Sequence, residues 1–286
     1  MRLFITDLDG TLLDDCQNIS YENAKALKDV QAKGIEVIPC TGRPFLDAYN
    51  ILKSANLYPN YIISSNGAMV HKSTGEKLAS YPIEKKDAKL VLDYMDKNNF
   101  PYSVFTEDII FQKDDNSKRL KYDYNNTEEL NSPLANMGFT TLLELFTVEN
   151  KSIVRVSNYE EILSSNKELF YIAANSFNQE RLDNGRKDLS HIKSLNISSS
   201  AFHNFDATNI NASKGKALEF LANYLNIELK DVVAIGDNYN DISMLEKVKY
   251  SIAMGNANKE VKNICRYTTL ENYKNGVAYA IRKYVL

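Results

Sequence analysis

Leu3-Phe4-Ile5-Thr6-Asp7-Leu8-Asp9-Gly10-Thr11 opens the chain with a short apolar run that stops at a carboxylate. Four apolar-to-polar residues suit one buried strand, and the two aspartates that end it stand two apart. At a strand end, residues two apart project to the same side, so Asp7 and Asp9 can converge on one reacting group. Gly10 lets the backbone turn sharply beside a ligand. In open α/β sheets the ligand crevice lies at the carboxyl ends of the strands, which is where Asp7 falls. A plain polar turn is the competing reading, since Asp and Gly dominate turns. The five-residue pattern at a strand end weighs against it.

Outward from that stretch the chain alternates strands and helices. Residues 20–33 carry Ala24, Leu27 and Val30 at helical spacing, with Ser20 as the cap and Gly34 as the stop. Ile35 to Ile38 reads as a second strand, followed by a helix bearing Phe45, Ala48, Tyr49 and Leu52, and Tyr61-Ile62-Ile63 as a third strand. This rhythm predicts parallel βαβ units. It resumes near the other end: a helix after Ser213, the buried strand Val232 to Ile235, a short helix around Met244, a strand at Ser251 to Met254, and a last helix with Val277, Ala278 and Ile281.

The middle reads differently. A helix over 87–97, a hairpin of Tyr102–Phe105 and Ile109–Gln112, a polar stretch at 113–132, and strands at Ile153–Val156 and Leu169–Ala174 around a helix near 159–167 predict an α+β insert. The expected organisation is a discontinuous catalytic core, 1–82 with 199–286, interrupted by an inserted domain at 83–198. The expected fold class is α/β, a Rossmann-like doubly wound parallel sheet with an inserted α+β cap.

Composition bounds the function. The 286 residues include 34 Lys+Arg and 37 Asp+Glu, a formal net charge of −3, which argues against general nucleic-acid binding. No run of 18 apolar residues exists, so no membrane partner or span is expected. Cys16, Cys40 and Cys265 are scattered, giving neither a disulfide frame nor a zinc spacing, and they suit a reducing, cytoplasmic setting. His71, His191 and His203 form no metal-like spacing and are expected at the surface or at caps.

Three further motifs carry chemistry. Gly236-Asp237-Asn238-Tyr239-Asn240-Asp241 follows the most apolar strand, and two carboxylates four apart at a strand–helix junction suit a divalent cation. Oxygen ligands with no His or Cys nearby favour Mg²⁺. Helix capping by Asn240 or Asp241 is the alternative. Thr41-Gly42-Arg43 offers a hydroxyl and free N–H groups to phosphate oxygens, or simply opens a helix with Pro44 in its first turn. Lys214 stands in the first turn of a helix, where the macrodipole disfavours a cation unless an anion compensates.

In this order the motifs resemble the haloacid dehalogenase-like phosphohydrolases, and within them the Cof-like sugar phosphatases with a type IIB cap. The resemblance covers about 1–82 and 199–286, and it is extended by Ser65-Asn66-Gly67-Ala68, Met254-Gly255-Asn256-Ala257, and Asn272 with Gly276-Val277-Ala278. It implies a Mg²⁺-dependent phosphatase acting on a small phosphorylated metabolite, most simply a sugar phosphate. It implies Asp7 as the nucleophile that forms an aspartyl-phosphate and Asp9 as the acid/base. It implies Mg²⁺ on the Asp7 carboxylate, the Asp9 carbonyl and the Asp237 carboxylate, with Asp241 orienting the metal's waters. Thr41, Lys214 and Asn240 would bind phosphoryl oxygens, with Gly42 and Arg43 beside them. Asn238 departs mildly from the family pattern. A phosphotransferase or phosphomutase on the same scaffold, or a non-catalytic phospholigand-binding protein, are the alternatives. The leaving group and the oligomeric state are not readable from these residues.

Overall fold

A computed structural model describes residues 1–127, 133–199 and 201–286, the side chains of 133 and 134 apart. It divides into two units: Met1–Tyr81 with Asn211–Leu286, and Pro82–Ile210. The first unit begins with β1 (Leu3–Thr6), α1 (Tyr21–Ala32), β2 (Glu36–Pro39), α2 (Phe45–Ser54), β3 (Tyr61–Ser64), β4 (Met69–Lys72) and β5 (Lys77–Ser80). The Ser20 hydroxyl accepts from the Asn23 N–H at 3.1 Å and caps α1, as its position before an apolar-periodic run predicts.

The second unit holds α3 (Lys85–Lys97), β6 (Tyr102–Phe105), β7 (Ile110–Lys113), α4 (Asn116–Asn125), α5 (Pro133–Thr147), β8 (Ile153–Val156), α6 (Tyr159–Ser164), β9 (Tyr171–Asn175), α7 (Gln179–Leu189), β10 (Leu195–Ser198) and β11 (Asn204–Asn209). Its six strands lie in the order β10-β11-β9-β6-β7-β8, antiparallel except for β7 beside β8. Val104, Phe111, Ile172, Phe205 and Ala207 face one way and join Val91, Leu92 and Leu182 in a core of its own. The unit runs to Ile210 rather than to 198. The cause is β11, which pairs with both β9 and β10. The polar stretch expected at 113–132 contains α4, and its last five residues lie outside those described.

The first unit closes with α8 (Lys214–Tyr224), β12 (Val232–Gly236), α9 (Ile242–Leu245), β13 (Tyr250–Ala253), α10 (Lys259–Ile264), β14 (Tyr267–Thr268) and α11 (Gly276–Ala280). Its main sheet is wholly parallel, in the order β14-β13-β12-β1-β2. β1 and β12 are buried along their whole length, which is why they read as unbroken apolar runs. From β1 the chain moves one way to β2, and from β12 the other way to β13. Right-handed crossovers in opposite directions put their helices on opposite faces. Accordingly α1 packs with α11, and α8 packs with α9. The doubly wound α/β core is thus the observed one.

β3 differs from its expected role as a third parallel strand. It meets the residue just past β2 through an isolated parallel bridge, Cys40 with Ile63, and then heads an antiparallel sheet β3-β4-β5. Ser65, Asn66 and Gly67 all have positive φ (50°, 55° and 88°), and this left-handed run reverses the chain at once into β4.

Candidate active site

β1 is the strand at which the order of the parallel sheet switches direction, and Asp7 follows it directly. The Asp7 N–H donates to Ile235 O at 3.1 Å, carrying the β1–β12 pairing one residue further. Asp237 follows the neighbouring strand, so two carboxylates from opposite ends of the chain meet at the switch point. The third participant is Lys214, the first residue of α8. Its Nζ donates to Asp7 Oδ1 and to Asp241 Oδ1, each at 2.6 Å, and the side chain is fully buried. The anion expected to compensate this misplaced helix-start cation is therefore a pair of aspartates.

The loop after β12 is organised by Asp241. Its Oδ2 accepts from the Asp237 N–H at 2.9 Å and the Asn238 N–H at 3.1 Å. With Lys214 on Oδ1, both of its oxygens are occupied. Asp237 is oriented by the Thr11 hydroxyl, which donates to its Oδ1 at 2.8 Å. Gly10, at φ 72°, passes so close that a Cβ there would lie 2.5 Å from Asp237 Oδ2. Asn238, the departure from the family pattern, turns its amide oxygen to the Tyr239 N–H and to Asn258 Nδ2, each at 2.9 Å, and so stabilises the loop. Asn240 donates to Asn66 Oδ1 at 2.9 Å.

Thr41 is fully buried after β2, and its hydroxyl accepts from the Arg43 N–H at 3.1 Å. A Cβ at Gly42 would lie 3.1 Å from Asn66 Oδ1, so the glycine permits close passage over the left-handed turn. Arg43 is engaged by carboxylates. Its Nε and Nη2 donate to the two oxygens of Asp9 at 2.8 and 2.6 Å, Nη1 donates to Asp47 at 2.8 Å, and Nη2 also meets Gln17 Oε1. The fork geometry fixes the plane of the Asp9 carboxylate.

Asp7, Asp237 and Asp241 each bring a carboxylate oxygen within 4.8 Å of the others. Three carboxylates against one ammonium leave two negative charges uncompensated in a largely buried place. Burial pushes Asp7 well above the usual carboxylate range, opposed by Lys214 and reinforced by Asp241 and Asp237. Burial, with Asp241 adding to it, pushes Asp237 up to about 6. Burial works against the Lys214 cation too, but Asp241 and Asp7 outweigh it and hold its pKa above the ordinary value. An all-oxygen donor set with excess negative charge fits a hard divalent cation such as Mg²⁺. Burial also raises the Cys40 thiol, so beside this site it is a small apolar residue and no nucleophile.

The site contains residues that motif reading passed over or left without a role. Asn66, Gln17, Asp47, Asn256 and Asn272 all touch its loops. Asn66 and Gln17 share one legible signal, a polar residue where the backbone must take positive φ. His71 needs correction: it is fully buried in β4, its ring centroid 4.5 Å from that of Phe45 at the start of α2.

The family model described as haloacid dehalogenase-like hydrolase matches residues 4–281. The phosphatase YwpJ of Bacillus subtilis is 34% identical over 284 residues, covering 99% of each chain. The 5-amino-6-(5-phospho-D-ribitylamino)uracil phosphatase YwtE of the same organism is 32% identical, covering 98% of this chain and 97% of its own. A solved haloacid dehalogenase-like hydrolase from B. subtilis superimposes with a TM-score of 0.84 at 33% identity, covering all of both chains.

Proposed function

The chain belongs to the haloacid dehalogenase-like hydrolases and is a phosphatase, and on that premise we propose that it cleaves sugar or polyol phosphates, with Asp7 as nucleophile and Mg²⁺ as cofactor. The observation that carries this reading is Lys214 spanning Asp7 and Asp241 beside Asp237 at the sheet's switch point. Asp7 attacks phosphorus, the bond to the leaving alcohol breaks, and Asp9 delivers the proton that the alkoxide needs. Water then attacks the aspartyl-phosphate, Asp9 takes its proton, and the bond between phosphorus and Asp7 breaks. Lys214, Thr41 and Asn240 face the equatorial oxygens, whose charge must be neutralised as the phosphoryl group passes.

The Asp7 and Asp237 carboxylates, with the Asp9 carbonyl, would hold the cation, because both oxygens of Asp241 are already taken. Bound there, Mg²⁺ supplies neutralisation of phosphoryl charge and lets a carboxylate approach a dianion. Both oxygens of Asp9 rest on Arg43, so proton donation requires a side-chain rotation away from that fork. The insert selects the leaving group. The relative named for a ribitylamino-uracil phosphate acts on a phosphorylated polyol chain, which supports the sugar or polyol phosphate class. A phosphate-release panel over sugar phosphates, polyol phosphates (ribitylamino-uracil phosphate among them) and pyridoxal phosphate tests the reading. Release from the first two classes that stops with EDTA and returns with Mg²⁺ supports it. Activity indifferent to EDTA, or confined to other esters, overturns it.

A further inference from the structure

Residues 8–13 carry Asp9 through a turn that is neither a regular helix nor a strand, with Asp9 at φ −71°, ψ 124° and Gly10 at φ 72°, ψ −2°. Carbonyls in such a segment have no ladder to satisfy them and need other donors. Three asparagine carboxamides supply them. Asn256 Nδ2 donates to Gly10 O at 2.8 Å, Asn272 Nδ2 to Leu13 O at 3.0 Å, and Asn23 Nδ2 more weakly to Leu12 O at 3.4 Å.

The donors are themselves held in place. Asn256 Oδ1 accepts from the Asn272 N–H at 3.0 Å, coupling the two stronger braces. Asn272 Nδ2 also reaches Asp15 Oδ1 at 3.2 Å, and Asn23 Oδ1 accepts from the Ala278 N–H at 3.0 Å. The same turn meets Asp237 through the Thr11 hydroxyl and the bare Cα of Gly10. Its backbone is thus fixed against Asp237 from one set of contacts and tied to the C-terminal loops by another.

We propose that Asn256 and Asn272 are positioning residues that set the placement of the Asp9 backbone relative to Asp237, and through it the affinity of the site for its divalent cation. The inference rests on the metal reading above. It assigns roles to two residues that touch neither the substrate nor the reacting atoms. Groups that hydrogen-bond a metal's own ligands change its affinity by about tenfold to a hundredfold when lost, and these braces, on Gly10 O and Leu13 O, act one step further out.

Asn256 is exposed, so Asn256→Ala removes the donor with little risk to folding. Asn272→Asp keeps shape while removing the N–H donor, and a thermal melt checks that it folds. Mg²⁺ titration calorimetry on chelator-treated protein without substrate measures the affinity directly. The expected result is a dissociation constant for Mg²⁺ raised about tenfold in each variant. KM for the phosphoester at saturating Mg²⁺ stays within about twofold and excess Mg²⁺ restores most of kcat. Wild-type Mg²⁺ affinity in folded Asn256→Ala, or a loss of kcat that no Mg²⁺ concentration restores, overturns the proposal. If the wild-type protein itself takes up no Mg²⁺ and ignores EDTA, the metal reading has failed. If it binds Mg²⁺ and the variant binds equally well, the brace alone has failed.

Discussion

Asp7 and Asp9 begin as equivalent letters two apart and end in opposite surroundings. Asp7 is buried on Lys214, while Asp9 is about half exposed on Arg43. Burial makes Asp7 dependent on its cation, whereas Asp9 is held by the Arg43 fork and turns only by leaving it. Asp7→Asn is expected to lower phosphate release by about a thousandfold or more while the thermal midpoint holds or rises, because one of three crowded carboxylates loses its charge. Near-wild-type turnover in that variant would sink the nucleophile assignment. Asp237 carries a pH signature in metal-free protein. Its pKa stands at about 6 in the fold, above its unfolded value, so this group's contribution to stability is present at low pH and lost as pH rises through about 6. The loss amounts to at most about 3 kcal/mol. Melts of chelated protein are expected to shift downward between about pH 4 and 6, and Asp237→Asn to flatten that slope.

At the scale of elements, α8 places Lys214 and must sit close to α9 to do so. A Cβ on Gly215 would overlap the Ser243 carbonyl. Gly215→Ala is therefore expected to cost about 1–3 kcal/mol in urea denaturation, despite alanine's better helix propensity, and to reduce activity by displacing Lys214. The elements that carry the site were the legible ones. Buried parallel strands must be continuously apolar, so Leu3–Thr6 and Val232–Ile235 announce themselves, and the Asp and Gly residues that end them mark the crevice. β11 escaped because Asn204-Phe205-Asp206-Ala207-Thr208-Asn209 packs only Phe205 and Ala207 into the core, and polar residues on its other face mask the strand. α5 carries Pro133, Gly138 and three threonines, which obscured its helical period. Asn256 and Asn272 were visible as letters but not as braces. Their partners are backbone carbonyls about 250 residues away, and a motif carries no trace of such a bond.

For the whole molecule, every residue assigned to the site lies in the discontinuous unit, and the insert has its own core. The Asn209 side chain donates to Pro82 O at 2.7 Å, so the two ends of the insert meet. Residues 82–210 expressed alone are expected to unfold cooperatively in a thermal melt followed by circular dichroism. A chain in which a short Gly/Ser linker replaces them is expected to keep Mg²⁺-dependent hydrolysis of p-nitrophenyl phosphate and to lose discrimination among sugar phosphates. Loss of p-nitrophenyl phosphate hydrolysis in a variant that still melts cooperatively would place part of the catalytic machinery in the insert.

The position of β1 between β2 and β12 has a consequence for how the protein is made. On the ribosome, Leu3–Thr6 emerges well before one of its two neighbours, Val232–Ile235, which is translated more than two hundred residues later. At ordinary elongation rates that interval is on the order of ten to fifty seconds. Until then Asp7 has neither Lys214 nor Asp237 beside it, while the insert, contiguous in the chain, is free to fold. The insert can therefore fold before the catalytic unit has all its strands. Asp7 is thus made long before the residues that surround it, and the site closes only once Lys214 and Asp237 have followed.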